Sequence, residues 1–155
     1  MIIVASLLEK LQYDYTRLAP EVRNLSYSER LKKFAITSLQ WRFERYKVIY
    51  LYKIHDNLVP NCGIKVASHC NTRYGLKFKV QITKQSTLGT QMDQTFQIMG
   101  PKIWNVLPAF IRNLSENDVS RFKAELDEYL SNLEDIPRLG SSKQRRNSLI
   151  DILGF

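Results

Sequence analysis

Apolar residues recur at helical spacing through most of this chain. Leu7, Leu8, Leu11, Tyr15 and Leu18 stand three, four, seven or eight positions apart ahead of Pro20, which predicts an amphipathic helix from about Val4 to Leu18. Ser26 and Glu29 have the spacing of a capping box, in which each side chain satisfies a free backbone N–H near the helix start, so a short helix from Tyr27 to Phe34 is expected. Thr37 and Gln40 repeat that pattern and predict a long helix from Ser38 to about Asn57. On a helical wheel this long helix has two apolar faces. One carries Leu39, Phe43, Tyr46, Tyr50 and Ile54, the other Trp41, Val48, Ile49 and Tyr52, and an element apolar on two sides belongs at the centre of a fold. Near the other end of the chain, Val119, Phe122, Leu126, Tyr129, Leu130 and Leu133 mark one more amphipathic helix.

The middle of the chain reads differently. Pro60, Asn61, Gly63, Asn71 and Gly75 punctuate a long connection. Leu76, Phe78, Val80 and Ile82 then alternate with Lys77, Lys79, Gln81 and Thr83, the period of a strand with one buried and one basic face. The polar stretch from Lys84 to Gln94 has the composition to turn a hairpin whose return strand includes Thr95 to Ile98. Gly100-Pro101 is expected to start a helix carrying Ile103, Trp104 and Leu107, with Pro108 ending it or beginning the next. Trp104 shares a helical stripe with Ile103 and Leu107 and is read as core; Phe78 is read as buried by its alternation. A turn at Asn113 to Asn117 leads into the helix that follows. Past Glu134 the composition shifts to Pro, Gly, Ser and Arg. Residues 135–155 are expected to be mostly disordered, with Leu149, Ile150, Ile152 and Leu153 docking as a short helix. The fold class is mainly α: a helical segment over 1–58, a basic connection with a small β hairpin or single strand over 59–98, helices over 99–134, and the tail.

Charge sharpens this picture. The 155 residues carry a formal net charge of +8, and residues 1–92 hold 15 Lys+Arg against 6 Asp+Glu while the remainder hold 8 against 9. No acid lies between Asp56 and Asp93, where Lys65, Arg73, Lys77, Lys79 and Lys84 fall, and a one-sign stretch favours either a polyanion partner or a well-solvated surface. Arg42, Arg45 and Lys53 share a sector between the two apolar faces of the long helix. They read as a phosphate-contacting ridge, or as cations reaching water and pairing with Glu44 or Asp56. The candidate nucleic-acid-binding residues are Arg42, Arg45, Lys53, Arg73, Lys77, Lys79 and Lys84. Tyr74 and Phe78 interleave with these cations as base-stacking side chains would.

Other chemistry finds little footing. His55, Cys62, His69 and Cys70 are zinc-type ligands, but no Cys-x-x-Cys pair exists and adjacent ligands seldom address one ion, so no metal or other cofactor is expected. Neither histidine has a nucleophile or acid that spacing places beside it, and no glycine-rich phosphate loop is present. The apolar start MIIVASLL lacks the flanks of a signal peptide, and no run approaches the roughly 20 apolar residues of a membrane span. The protein is expected to be intracellular, nuclear or cytoplasmic, with reduced thiols and no membrane partner. The string from Lys143 to Ser148, with two arginines before its serine, is either a nuclear-localisation patch, a phosphoacceptor at Ser148, or chance.

The run FQIMGPKIWNVLPAFIRNLSENDVSRFKAELDEYL from Phe96 to Leu130, together with SLQWRFERYKVIYLYKIHDNLVPNCGI from Ser38 to Ile64, resembles the C-terminal part of non-LTR (LINE-type, Jockey-like) retrotransposon reverse transcriptases. The resemblance extends with gaps from about Leu7 to Asp151. Leu8 to Gln12 and on to Arg17 looks like the first helix of the thumb, Tyr27 to Leu31 like the next, and Asn147 to Asp151 like the close of such a polyprotein, which implies a C-terminal module. The family's thumb grips a template-primer duplex, so the resemblance implies an RNA–DNA hybrid or duplex as partner, and a polymerase palm domain supplied by another chain. Two-metal nucleotidyl transfer needs converging carboxylates, and the Tyr/Phe-x-Asp-Asp motif of reverse transcriptases is missing, so no catalysis by this chain alone is expected. The chain departs from the family at Tyr13 and Asp14, where basic residues are usual; that substitution implies a weaker phosphate grip. The alternative is an α-helical protein-interaction module, with Leu7, Leu11 and Leu18 as an exposed apolar patch, or a relic without function.

Overall fold

The computed structural model describes residues 2–65, 77–80, 95–114, 118–137 and 148–154, with side chains of the first helix described from Leu7 onward. Among these residues the chain is mainly helical: α1 (Ile2–Thr16), a 3-10 turn (Pro20–Val22), α2 (Tyr27–Lys33), α3 (Leu39–His55), α4 (Phe96–Val106), α5 (Ala109–Arg112), α6 (Val119–Ser131) and α7 (Leu149–Leu153).

The starts follow from side-chain chemistry. Both halves of the Ser26/Glu29 capping box form, with Ser26 N–H donating to Glu29 at 2.7 Å. For α3 the cap is Ser38 rather than Thr37: the Ser38 hydroxyl accepts from Trp41 N–H. The Thr37 carbonyl instead accepts from Arg42 at 3.0 and 3.1 Å and from Gln12 at 3.2 Å. Two carboxylates complete the α3 start. Asp135 accepts from Ser38 N–H at 2.7 Å and Glu9 from Leu39 N–H at 2.8 Å, where unpaired N–H groups and the helix dipole favour negative charge.

α3 lies against α1, α4 and α6. Trp41, Val48, Ile49, Leu51, Tyr52 and Ile54 are buried. The second predicted face is therefore core. The first is not: Ile54 is buried, but Phe43, Tyr46 and Tyr50 are 42%, 61% and 40% exposed. Glu44, an acid, is fully buried instead. The core centres on Phe122, whose ring stacks on Tyr52 with centroids 4.0 Å apart and on Trp104 at 6.0 Å; Phe78 meets Trp104 edge-on at 5.4 Å. Both Trp104 and Phe78 are core, as their periodicity indicates.

Two expectations about the middle of the chain are overturned. Thr95 to Ile98 is no return strand: Thr95 precedes α4, and its carbonyl accepts from Ile98 and Met99 N–H in the first helical turn. Nor does Gly100-Pro101 start that helix. It begins at Phe96 and carries Pro101 inside it. A Cβ on Gly100 would stand 3.2 Å from the Phe96 ring and 3.3 Å from Leu51, so glycine here serves the close approach of α4 to α3. Pro108 does separate two helices, α4 and α5. Of the predicted strand, 77–80 is described; it keeps its alternation, with a bridge position at Phe78. The remainder of that strand, the polar stretch after it, Tyr74, and most of the Asn113–Asn117 turn lie outside the described residues.

The described part of the tail holds α7, and Leu149 is fully buried against the core. The Glu44 carboxylate accepts from Leu149 N–H at 2.7 Å and from the Gln40 amide, and also bonds the Ser148 side chain. Burial holds the Glu44 pKa above the usual range despite these bonds. Ser148 is 5% exposed and accepts from Ile150 N–H at 3.2 Å. It is a buried helix cap, which corrects its reading as an accessible phosphoacceptor.

Candidate nucleic-acid interface

The seven candidate cations separate into three groups. Arg73 and Lys84 lie outside the described residues. Lys77 and Lys79 are exposed on either side of buried Phe78, and the Lys79 N–H donates to the Lys65 carbonyl at 2.8 Å. That bond brings a third exposed lysine, Lys65, to the same edge.

What fixes this edge is a side chain acting as a strand. Asn105 on α4 accepts from Phe78 N–H at 2.9 Å and donates to the Phe78 carbonyl at 2.8 Å, the pair of bonds a neighbouring strand would make. Asn61 does the same one layer away, bonding both N–H and C=O of Ile64 at 2.8 Å. Gln97 donates to the Cys62 carbonyl at 2.8 Å. Three amide side chains thus hold an irregular backbone whose buried polar groups must find partners. Phe78 and Ile64, at 2% and 4% exposure, anchor it to the core while the lysines between and beside them face water. The role of Asn105 was not read from the sequence. The available signal was an asparagine, a poor helix former with both a donor and an acceptor, in the last turn of α4.

Arg42, Arg45 and Lys53 are half-buried along α3. The Arg42 guanidinium is taken up by the Thr37 carbonyl and the Gln12 side chain. Arg45 pairs with Asp127 through two bonds, the Nη2–Oδ2 contact being 2.6 Å, and this holds its pKa higher still. The partner is neither Glu44 nor Asp56. Arg45 also lies 5.9 Å from the Tyr46 ring. Arg42, Arg45, Tyr46, Trp41 and Ile36 line a groove of about 390 Å³ between the α2–α3 turn and α6.

Tyr13, at the position where the resemblance leads one to expect a cation, has a structural task. Its ring lies 4.7 Å from the buried Arg30 guanidinium and edge-on to Tyr27 at 5.2 Å. Arg30 in turn donates to the Thr16 hydroxyl at 3.2 Å and the Leu25 carbonyl at 2.7 Å. The neighbouring α3 N-terminus, a natural phosphate site, is already filled by Glu9 and Asp135. Leu7, Leu11 and Tyr15 on α1 and Leu18 in the turn that follows it are 56% to 76% exposed and form an apolar face.

Of the zinc-type residues, His55 Nδ1 sits 2.7 Å from the Asp56 carboxylate, which corrects the expectation that neither histidine has an acid beside it, and Cys62 is exposed; His69 and Cys70 lie outside the described residues. Among the described residues no three His, Cys, Asp or Glu side chains are placed to hold a metal, and no helix is long and apolar enough to cross a membrane. Comparison of the whole chain with protein-family models, with curated proteins and with solved structures finds no match.

Proposed function

We propose that this chain is a catalytically incomplete C-terminal portion of a retrotransposon-type RNA-directed DNA polymerase, binding nucleic acid through its phosphate backbone. The motif resemblance supplies the family; the exposed edge of Lys65, Lys77 and Lys79 is the observation that carries the activity. Three cations on a pinned backbone, in a stretch of sequence without acids, suit a polyanion held by charge and shape. Binding of this kind releases counterions, so it is salt-sensitive and largely blind to sequence. The test is fluorescence anisotropy with an RNA–DNA hybrid at two salt concentrations. Affinity is expected to fall as salt rises, and to fall further in a Lys77→Glu/Lys79→Glu variant with unchanged circular dichroism. A folded wild-type protein that leaves the hybrid unbound at low salt refutes the reading.

The exposed face of α1 favours a second reading, an interaction module that docks on a palm domain supplied by another chain. Three large apolar side chains on one helix and a fourth in the turn after it, each more than half exposed, are more than scattered surface residues. The two readings are compatible, since a thumb both touches duplex and packs beside a palm.

A further inference from the structure

The outer face of α3 carries a row of aromatic rings beside a row of cations. We infer that it is a stacking platform for the unpaired bases of a single-stranded nucleic acid, an inference that rests on the nucleic-acid reading above and extends it to a second surface and a second ligand form.

Phe43, Tyr46 and Tyr50 occupy an arc of about 60° on a 100° per residue wheel. They advance about 4.5 and 6 Å along the axis at 1.5 Å per residue. All three are exposed, Tyr46 the most at 61%. Tyr50 is held by an edge-to-face contact with Phe96 at 5.2 Å. An amphipathic helix in water has no reason of its own to present three rings in line. Every base has a π-face, so a row of exposed rings takes up bases with little regard to sequence.

The occupant is chosen by charge. Arg42 and Lys53 border the ring row, and Arg45 stands over the Tyr46 ring. The only acid within α3, Glu44, is fully buried on the far side, and the carboxylate of its C-cap Asp56 is 3% exposed. What α3 shows to solvent is therefore aromatic and cationic, which suits bases joined by phosphates better than an apolar protein surface. Arg42 already meets Gln12 and Thr37, and Arg45 meets Asp127, which keeps both guanidinium groups in place. The Arg45 side chain is 25% exposed and that of Asp127 49%, so the pair lies at the surface, where such a pair adds little stability for a competing phosphate to overcome. Tyr46 also lines the groove that Trp41, Arg42, Arg45 and Asp127 share, so the platform adjoins a recess of mixed polar and apolar lining.

The experiment is anisotropy of a labelled oligodeoxythymidylate and, in parallel, of the RNA–DNA hybrid, with wild type, Tyr46→Ala, Tyr46→Phe and Lys77→Glu/Lys79→Glu. Tyr46→Ala is expected to weaken single-strand binding about tenfold and leave hybrid binding unchanged. Tyr46→Phe should bind both like wild type, and the lysine variant should lose the hybrid. Hybrid binding without single-strand binding, or single-strand affinity indifferent to Tyr46→Ala, overturns the platform and leaves the backbone-grip reading standing. Failure to bind either ligand refutes both. A dimer in light scattering that Tyr46→Ala dissolves, with oligonucleotide affinity intact, overturns the platform in favour of a protein partner.

Discussion

Asn105 shows how one side chain can stand in for an element. It stands in the last turn of α4, where its low helix propensity costs little, and makes the two hydrogen bonds to Phe78 that a neighbouring strand would make. Removing it leaves the N–H and C=O of a buried residue without those partners. We expect Asn105→Ala to destabilise the protein by about 1–3 kcal/mol in urea denaturation, and the salt dependence of hybrid binding to flatten as the Lys77/Lys79 edge loosens. Arg30 is a comparable case. Its guanidinium is buried between the Tyr13 and Tyr27 rings with no carboxylate bonded to it, and it ties α2 to Thr16 at the end of α1. A lysine would keep the charge and lose the planar contact.

At the scale of elements, Glu44 binds α3 to α7 across a gap of 105 residues. Its folded pKa is raised by burial, so the folded state holds a proton that the unfolded chain has released. The sign follows: this contribution to stability is greatest below the ordinary glutamate value and is lost as pH rises through the raised one. Glu44→Gln keeps an acceptor for Leu149 N–H and removes the titration. Relative to the variant, wild type is expected to lose stability as pH rises above the ordinary glutamate range, read as the difference of their urea midpoints along a pH series. Most helices were legible in the sequence because an apolar stripe or a capping box is local information. α3 was legible as a helix but not in its buried face: periodicity reports that two faces are apolar, whereas the number of neighbours decides which is covered. The strand-like segment was legible in its alternation, so the exposure of Lys77 and Lys79 followed. Its pairing was not, because the partner is an asparagine 27 residues away. The engagement of Arg42 by Gln12 and of Arg45 by Asp127 was hidden for the same reason, at separations of 30 and 82 residues.

At the scale of the whole molecule, the described surface carries patches of two kinds. The face of Leu7, Leu11, Tyr15 and Leu18 is apolar, while the Lys65/Lys77/Lys79 edge is cationic and the outer side of α3 is aromatic and cationic. Left uncovered, the apolar face favours association of the protein with itself. Light scattering after size exclusion is expected to show a concentration-dependent increase in mass that Leu11→Gln/Leu18→Gln reduces, without loss of hybrid binding. The two caps on α3 have a consequence of another kind, for the order in which the chain assembles. Ser38 and Leu39 give their N–H groups to carboxylates 97 and 30 residues distant, one from either side in sequence. The middle turns of α3 need neither contact, whereas protection of the Ser38 amide from hydrogen exchange requires Asp135 and that of the Leu39 amide requires Glu9, so the two amides report separately on the arrival of the segment after α6 and of α1.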